Sequence, residues 1–329
     1  MVAISAWLPS AASAEEITCT GSNMIDTVAA SDAQTLAYLK REALKVPHGN
    51  GILWRVSTPG QADSFIFGTM HLSDPRLLAL PPRTKAAFDQ STTLALEITE
   101  ILDPQKMAAQ AFKIIQMTSY LDGTTLEDRL KPELVPKLQR KVLEAAGLPW
   151  SVANKMKPWA LMGAIALPAC EYARKRAGKP FLDMALGQDA KAAGKTIVGL
   201  ETLQGQLKAM NALPEAEMII ALDQIVTLGP HMEDMFETMI QLYQREELGL
   251  LWTLLRHMDV NGISKTPTDA GYAEFQRTII DQRNFGMADT SEPLLKKGGA
   301  FIAVGALHLP GQRGLIQILK DRGYTVSRP

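Results

Sequence analysis

Two histidines in this chain stand in the same unusual setting. Phe65-Ile66-Phe67 runs into Gly68-Thr69-Met70-His71, and Phe301-Ile302-Ala303-Val304 runs into Gly305-Ala306-Leu307-His308. In each copy an apolar, strand-like run meets G-x-x-H. The glycine permits a turn or close approach that a Cβ would forbid. The histidine then projects from the carboxyl end of a strand, the edge where open α/β sheets place their ligands. A lone histidine after a strand is usually a structural hydrogen-bonding residue. Two such settings in a chain with five histidines point to shared chemistry. His48, His231 and His257 lack this context and are assigned to surface or packing.

Carboxylates complete the pattern. Glu97 lies within the apolar run Leu94–Ile98, where an unpaired carboxylate costs several kcal/mol or protonates. A functional carboxylate accounts for it; an edge-strand Glu, half in solvent, is the plainer reading. Glu201 directly ends the run Ile197–Leu200 and would equally serve as the acid at the start of a helix. Two His and one or two Glu can hold Zn²⁺, Mn²⁺ or Co²⁺ with a position open to water, whose pKa the metal lowers. Without metal the same set is a His/Glu general acid–base pair. G-x-S-x-G, H-E-x-x-H, P-loop and dinucleotide patterns are absent from the sequence.

The elements that must position these residues read as an α+β fold. Ile52–Ser57 and Ser64–Gly68, separated by Pro59-Gly60, form a hairpin pattern. Thr92–Ile98 reads as a central strand, and Thr196–Leu200, Ala300–Val304 and Tyr324–Ser327 as further strands. Helices are expected over about Ala30–Ala43, Pro81–Ser91, from Asp103-Pro104 onward, and Phe181–Ala193. After Glu201 they continue at Leu203–Asn211, Pro214–Leu228, Met232–Arg256, Ala270–Leu295 and Gly311–Arg322. Thr124-x-x-Glu127 reads as a capping box, and Gly147, Pro158 and Pro168 as breaks. The closing segment repeats the opening one, so the expectation is a central mixed sheet from two related strand–GxxH–helix–strand halves. Residues 15–329 then form one domain, with helical insertions at about 103–180 and 203–295.

Composition excludes several classes. The 34 Lys+Arg against 35 Asp+Glu give a formal charge of −1, unlike a nucleic-acid binder held by counterion release. No apolar run reaches the roughly 18–20 residues of a membrane helix. The first fourteen residues are apolar and small, ending in Ala12-Ser13-Ala14 before Glu15, an A-x-A signal-peptidase form without a basic start. We read residues 1–14 as a signal peptide and the protein as periplasmic or secreted. In such an oxidising compartment Cys19 and Cys170, the two cysteines present, would pair and tie down the N-terminus.

In this order, Gly68-Thr69-Met70-His71, Leu96-Glu97, Gly199-Leu200-Glu201-Thr202, Arg283-Asn284 and Gly305-Ala306-Leu307-His308 resemble the TraB/GumN family, which includes the TIKI proteins. The resemblance runs from about Gly51 to the C-terminus. It implies His71, Glu97 and His308 as the core of the site, with Glu201, Arg283 and Asn284 as nearby supports. Arg283 and Asn284 enter only through this resemblance. The TIKI branch implies metal-dependent proteolysis. The wider fold, similar to erythromycin esterases and haem-binding ChaN-like proteins, and the polysaccharide gene cluster behind the GumN name imply other uses.

The leading expectation is an exported metal-dependent hydrolase acting on a peptide or protein. His71, His308 and Glu97 would hold the metal, Glu97 would activate water, and Arg283 would stabilise developing negative charge. The alternative is a non-catalytic envelope protein that binds haem, metal or glycan and is linked to polysaccharide production.

Overall fold

Strands β2 (Ser64–Thr69), β3 (Thr93–Leu96) and β5 (Ala300–Gly305) are apolar on both faces and buried almost throughout. Continuous apolar runs of this kind belong in the interior of a parallel sheet covered on both sides. The computed structural model, which describes residues 17–259, 262–263 and 270–329, places them there. With β1 (Leu53–Ser57), β4 (Thr196–Gly199) and β6 (Thr325–Ser327) they form one six-stranded mixed sheet in the order β4-β3-β5-β2-β1-β6. Strands β4, β3, β5 and β2 run parallel, while β1 is antiparallel to both its neighbours. This is the expected α+β architecture; the proposed signal peptide, residues 1–14, lies outside the described residues.

The two G-x-x-H halves lie side by side. Strands β2 and β5 are adjacent and parallel, with Phe65 opposite Phe301 and Thr69 opposite Gly305. From β2 the chain passes through helix Pro82–Gln90 to β3, on the far side of β5. From β5 it passes through helix Leu315–Asp321 to β6, in the opposite direction across β2 and β1. Two crossovers that diverge leave a crevice between the carboxyl ends of β2 and β5, the switch point where such sheets bind ligands.

Helices fill the spans between β3 and β4 and between β4 and β5. Helices Val135–Ala146, Pro158–Ile165 and Glu215–Leu228 share a separate apolar cluster around Leu138, Leu161 and Leu222. Among the described residues no helix is long and apolar enough to cross a membrane.

Three local expectations need correction. Thr124 and Glu127 do not form a capping box: Thr124 bonds Asp122, Thr125 bonds Asp128, and Glu127 opens a 3₁₀ turn, Glu127–Arg129. Local Asp side chains there compete successfully for the backbone donors. The span Met232–Arg256 is two helices, Met232–Gln244 and Leu248–His257, broken where Glu246 takes a positive φ and its carboxylate holds Arg83 and Arg328. The expected helix from Ala30 is likewise two, Met24–Ser31 and Ala33–Ala43, because the Asp32 side chain caps the second by accepting from the Thr35 N–H.

Cys19 and Cys170 are joined, with their Cα atoms 5.3 Å apart. The bridge lies beside a buried ionic network. Arg174 donates to Glu171 at 2.6 Å, to Asp74 at 3.2 Å and to the Ile17 carbonyl at 2.8 Å. Arg76 joins Asp74 to Glu237, with Nη2–Oε2 at 2.7 Å.

This network sets an acid dependence. Arg76 bonding holds the Glu237 carboxyl below its usual value. Burial alone would raise Asp74, but Arg76 and Arg174 override it and Asp74 too is held low. Both folded values lie below the unfolded ones, so the stabilisation is complete above the ordinary carboxylate range, about pH 4–5, and is lost as pH falls through the lowered values. Melting temperature should therefore drop from about pH 5 downward, and Arg76→Gln should flatten that slope. Thermal melts across this range check it; an unchanged slope in the variant contradicts the assignment.

Candidate active site

Gly68 and Gly305 have different tasks in the two motifs. A Cβ on Gly68 would lie 2.9 Å from the Ala306 Cα and 2.8 Å from the Leu309 Cδ1, so this glycine lets the turn of the second motif pack onto the first. A Cβ on Gly305 would instead stand 3.3 Å from Glu97 Oε1, 3.5 Å from His308 Cδ2 and 3.7 Å from His71 Nε2. The missing side chain of Gly305 leaves open the space at which both histidines and the strand glutamate meet. After Gly305 a single 3₁₀ turn, Ala306–His308, brings His308 back over the strand end.

Each imidazole is fixed from behind. His308 is buried, and its Nδ1 lies 2.7 Å from Asn284 Oδ1. The Asn284 amide donates to the Arg313 carbonyl at 2.7 Å, so its oxygen is the atom that faces the ring. His308 therefore carries its proton on Nδ1 and presents the Nε2 lone pair to the centre. Burial pulls its pKa down to about 4, so it is neutral near pH 7. His71 Nδ1 lies 2.8 Å from Asp183 Oδ2, and Asp183 Oδ1 accepts from the Thr69 hydroxyl at 2.8 Å. The cleft disfavours charge on His71, but the Asp183 carboxylate, with Glu97 beyond it, pushes its pKa up to about 9. The His71 side chain remains 56% exposed, so one face of the ring is open.

Glu97 sits just past the end of β3, beside β5. Its Oε1 accepts the Gly305 N–H at 2.7 Å and stands 3.8 Å from His308 Nε2. Its Oε2 accepts from Arg283 at 2.6 Å and Gln206 at 2.8 Å. Burial alone would raise this carboxyl, but the imidazoles, the Arg283 guanidinium and the Gly305 N–H together hold it down at about 2. Glu97 is thus a buried, ionised carboxylate with its partners in place.

Glu201 lies behind Glu97. It takes Arg283 Nε at 3.1 Å and Nη2 at 2.6 Å, while Arg283 Nη1 bonds the Ile279 carbonyl at 3.1 Å. Arg283 and Asn284 come directly after a π-helical turn, Gln276–Asp281, where a plain helix was expected. A π-turn carries an extra residue and re-aims the side chains beyond it, a feature common at functional sites.

All six sequence-selected residues, His71, Glu97, Glu201, Arg283, Asn284 and His308, thus come together at the switch point. Asp183, Gln206 and Thr69 belong to the same constellation but were not singled out. Asp183 in Phe181–Ala193 looks like an ordinary acid in a helix's first turn, and Gln206 gives no sequence signal at all.

The donor chemistry suits a divalent ion: two imidazoles anchored through Nδ1, one ionised carboxylate and open space above Gly305. His308 Nε2 and Glu97 Oε1, 3.8 Å apart, are only slightly wider than the roughly 3–3.5 Å expected of two ligands sharing a zinc-sized ion. His71 stands further off, so the three donors do not converge. Among the described residues, the group whose ligand atoms all lie within 4.8 Å of one another is Cys19, Asp74 and Glu171. There the sulfur is in the disulfide and both carboxylates are bonded to Arg174.

The sequence profile of the TraB/PrgY/gumN family matches residues 52–328. Metalloprotease TIKI1 of Danio rerio is 26% identical over 322 residues, covering 84% of this chain and 63% of the relative. Metalloprotease TIKI1 of Homo sapiens is 25% identical over 323 residues, covering 84% and 62%. An uncharacterized protein of Treponema pallidum (strain Nichols) is 21% identical over 294 residues, covering 86% and 85%. The chain therefore spans less than two thirds of the length of these two TIKI1 relatives. No solved structure matches it significantly. A family match over most of the chain, on the segment that builds the sheet and every residue of the constellation, places this protein in the TraB/PrgY/gumN family.

Proposed function

We propose that this protein is an exported, metal-dependent hydrolase that cleaves peptide bonds. The observation that carries the reading is the placement of His71, His308 and Glu97 around Gly305, each imidazole held through Nδ1 by Asp183 or Asn284. The relatives named metalloproteases support it. The Cys19–Cys170 bridge supports export, since structural disulfides persist in oxidising compartments.

His308 and Glu97 would hold a manganese, cobalt or zinc ion, with His71 as the third donor once its ring gives up the Nε2 proton that Asp183 and Glu97 favour. Such an ion supplies Lewis acidity, polarising a carbonyl and lowering the pKa of water. Asn284 and Asp183 fix which nitrogen of each ring faces the centre. Where the two imidazoles alone hold the ion, Glu97, ionised and with Oε1 turned toward His308, would instead accept a proton from water. Arg283 acts through Glu97: its donors are taken by Glu97, Glu201 and the Ile279 carbonyl, so it orients the carboxylate and lends positive charge.

Two observations favour a second, metal-free reading. Glu97 is already ion-paired with Arg283, and His71 stands off from the other two donors. In that reading the Asp183-held His71 is the general acid and Glu97 the general base.

Chelation separates the two. Protein supplied with Mn²⁺, Co²⁺ or Zn²⁺ should hydrolyse unstructured peptides, stop on chelation and recover on metal return. Asp183→Asn should lower metal affinity or activity by about 10–100-fold without a matching loss of melting temperature. Turnover that survives complete chelation contradicts the metal; failure to cleave any peptide or ester contradicts the hydrolase.

A further inference from the structure

Two cavities open on either side of the His71–Glu97 pair, and their walls differ. One, of about 340 Å³, is lined by Phe236, Met239, Leu251, Ile279, Ile280 and Leu307, and reaches Arg283, Gly305 and His308. Apart from those central groups it presents no ionisable side chain. The other, of about 530 Å³, is lined by Ile98, Ile101, Phe181 and Met184, with Lys175 and Lys179 among its walls. Leu167, His71 and Glu97 are common to both, so the cavities meet at the centre.

The lysines and carboxylates that line the larger cavity do not bond each other. Its carboxylates are already committed: Glu171 to Arg174, Asp183 to His71 and Glu97 to Arg283. Lys175 and Lys179 are exposed, and neither makes an ion pair among the described residues. Two exposed ammonium groups with no ion-pair partner among the described residues, beside an apolar wall, attract a carboxylate carried on an apolar stem or next to an apolar residue.

We infer that the site selects peptides with a large apolar side chain on one side of the bound peptide bond and a carboxylate on the other. The apolar side chain enters the cavity of Phe236 and Met239, and the carboxylate meets Lys175 and Lys179. This rests on the hydrolase reading for turnover, while the ligand preference itself is a statement about binding. Either an Asp or Glu side chain or the peptide's own C-terminus supplies the carboxylate.

The test uses the full chain with Mn²⁺ and peptides of one length, varying Phe, Ala or Lys on one side and Glu, Gln or Lys on the other. Each is made with a free and an amidated C-terminus. Binding of every peptide is measured by calorimetry, and kcat/KM is measured in parallel. The Phe/carboxylate combination should bind and turn over best, by about tenfold or more over the Lys-substituted peptides. Loss of the advantage on amidation assigns the carboxylate to the C-terminus; its persistence assigns it to the side chain. Lys175→Glu with Lys179→Glu should reverse the charge preference and keep the apolar one, whereas Met239→Trp should blunt the apolar one. Equal affinities across the set overturn the inference even if hydrolysis is robust. The predicted rank order in affinity with no cleavage of any peptide upholds the inference and overturns the hydrolase reading.

Discussion

Glu97→Gln should leave a folded protein with kcat reduced by roughly 10²–10⁴-fold, the range for losing a general base. The substitution is nearly isosteric: the amide oxygen can accept the Gly305 N–H that Oε1 accepts now at 2.7 Å, while the amide NH2 in the place of Oε2 faces the Arg283 and Gln206 donors, so a modest drop in melting temperature accompanies the change. Arg283 keeps its bonds to Glu201 and to the Ile279 carbonyl, so no guanidinium is left unpartnered. What disappears is the negative charge that the proposed proton transfer and cation would both require. Glu201→Gln removes a carboxylate one position further back and should cost less, because Arg283 still reaches Glu97 directly. Single-turnover and steady-state assays of the two variants, beside their circular dichroism, check the order. Equal losses would mean that the two carboxylates act as one Arg283-holding unit.

The largest stability effect should come from a residue far from this chemistry. Arg174→Ala is expected to destabilise the fold by about 3–5 kcal/mol, the range for breaking a buried pair and stranding its partner. Arg174 is 5% exposed, and Asp74 and Glu171 are more buried still, so removing the guanidinium leaves two carboxylates sharing one enclosed space. Its contact with the Ile17 carbonyl is lost as well, loosening the segment that leads to Cys19. Glu171 also accepts the Ser73 N–H at 2.8 Å, two residues beyond His71, so a repelled Glu171 disturbs the strand end that carries the site. Chemical denaturation at pH 7 measures the loss. Partial recovery as pH falls toward the carboxylate range would identify charge repulsion as its cause; a loss under 1 kcal/mol would place the pair in the weak, screened class.

Much of this arrangement was legible in the chain because its signals were local. Thr92–Ile98 reads as a central strand because burial on both faces removes alternation, and the repeated G-x-x-H marks the ends of the apolar runs Phe65–Phe67 and Phe301–Val304. Glu97 stood out because a carboxylate between Leu96 and Ile98 is costly without partners, and its partners are Arg283, Gln206 and the Gly305 N–H. Arg283 and Asn284 came only from the family resemblance, since nothing in a helical stretch distinguishes them from surface residues. Their placement depends on a π-turn at Gln276–Asp281, which residue spacing does not announce. Asp183 and Gln206 stayed hidden for a similar reason: each is an ordinary helix residue until tertiary packing brings it to His71 or Glu97. The Thr124–Glu127 misreading shows the reverse case, a correct local pattern overruled by nearby Asp side chains.

His71, His308 and Glu97 are proposed to hold a divalent cation. Calorimetric titration of Mn²⁺ or Zn²⁺ into the metal-stripped chain tests it most directly, with His71→Ala and His308→Ala titrated in parallel. One site per chain is expected, weakened by about tenfold or more in each variant. An ion bound with unchanged affinity in both variants, or no binding while peptide hydrolysis persists, would contradict it.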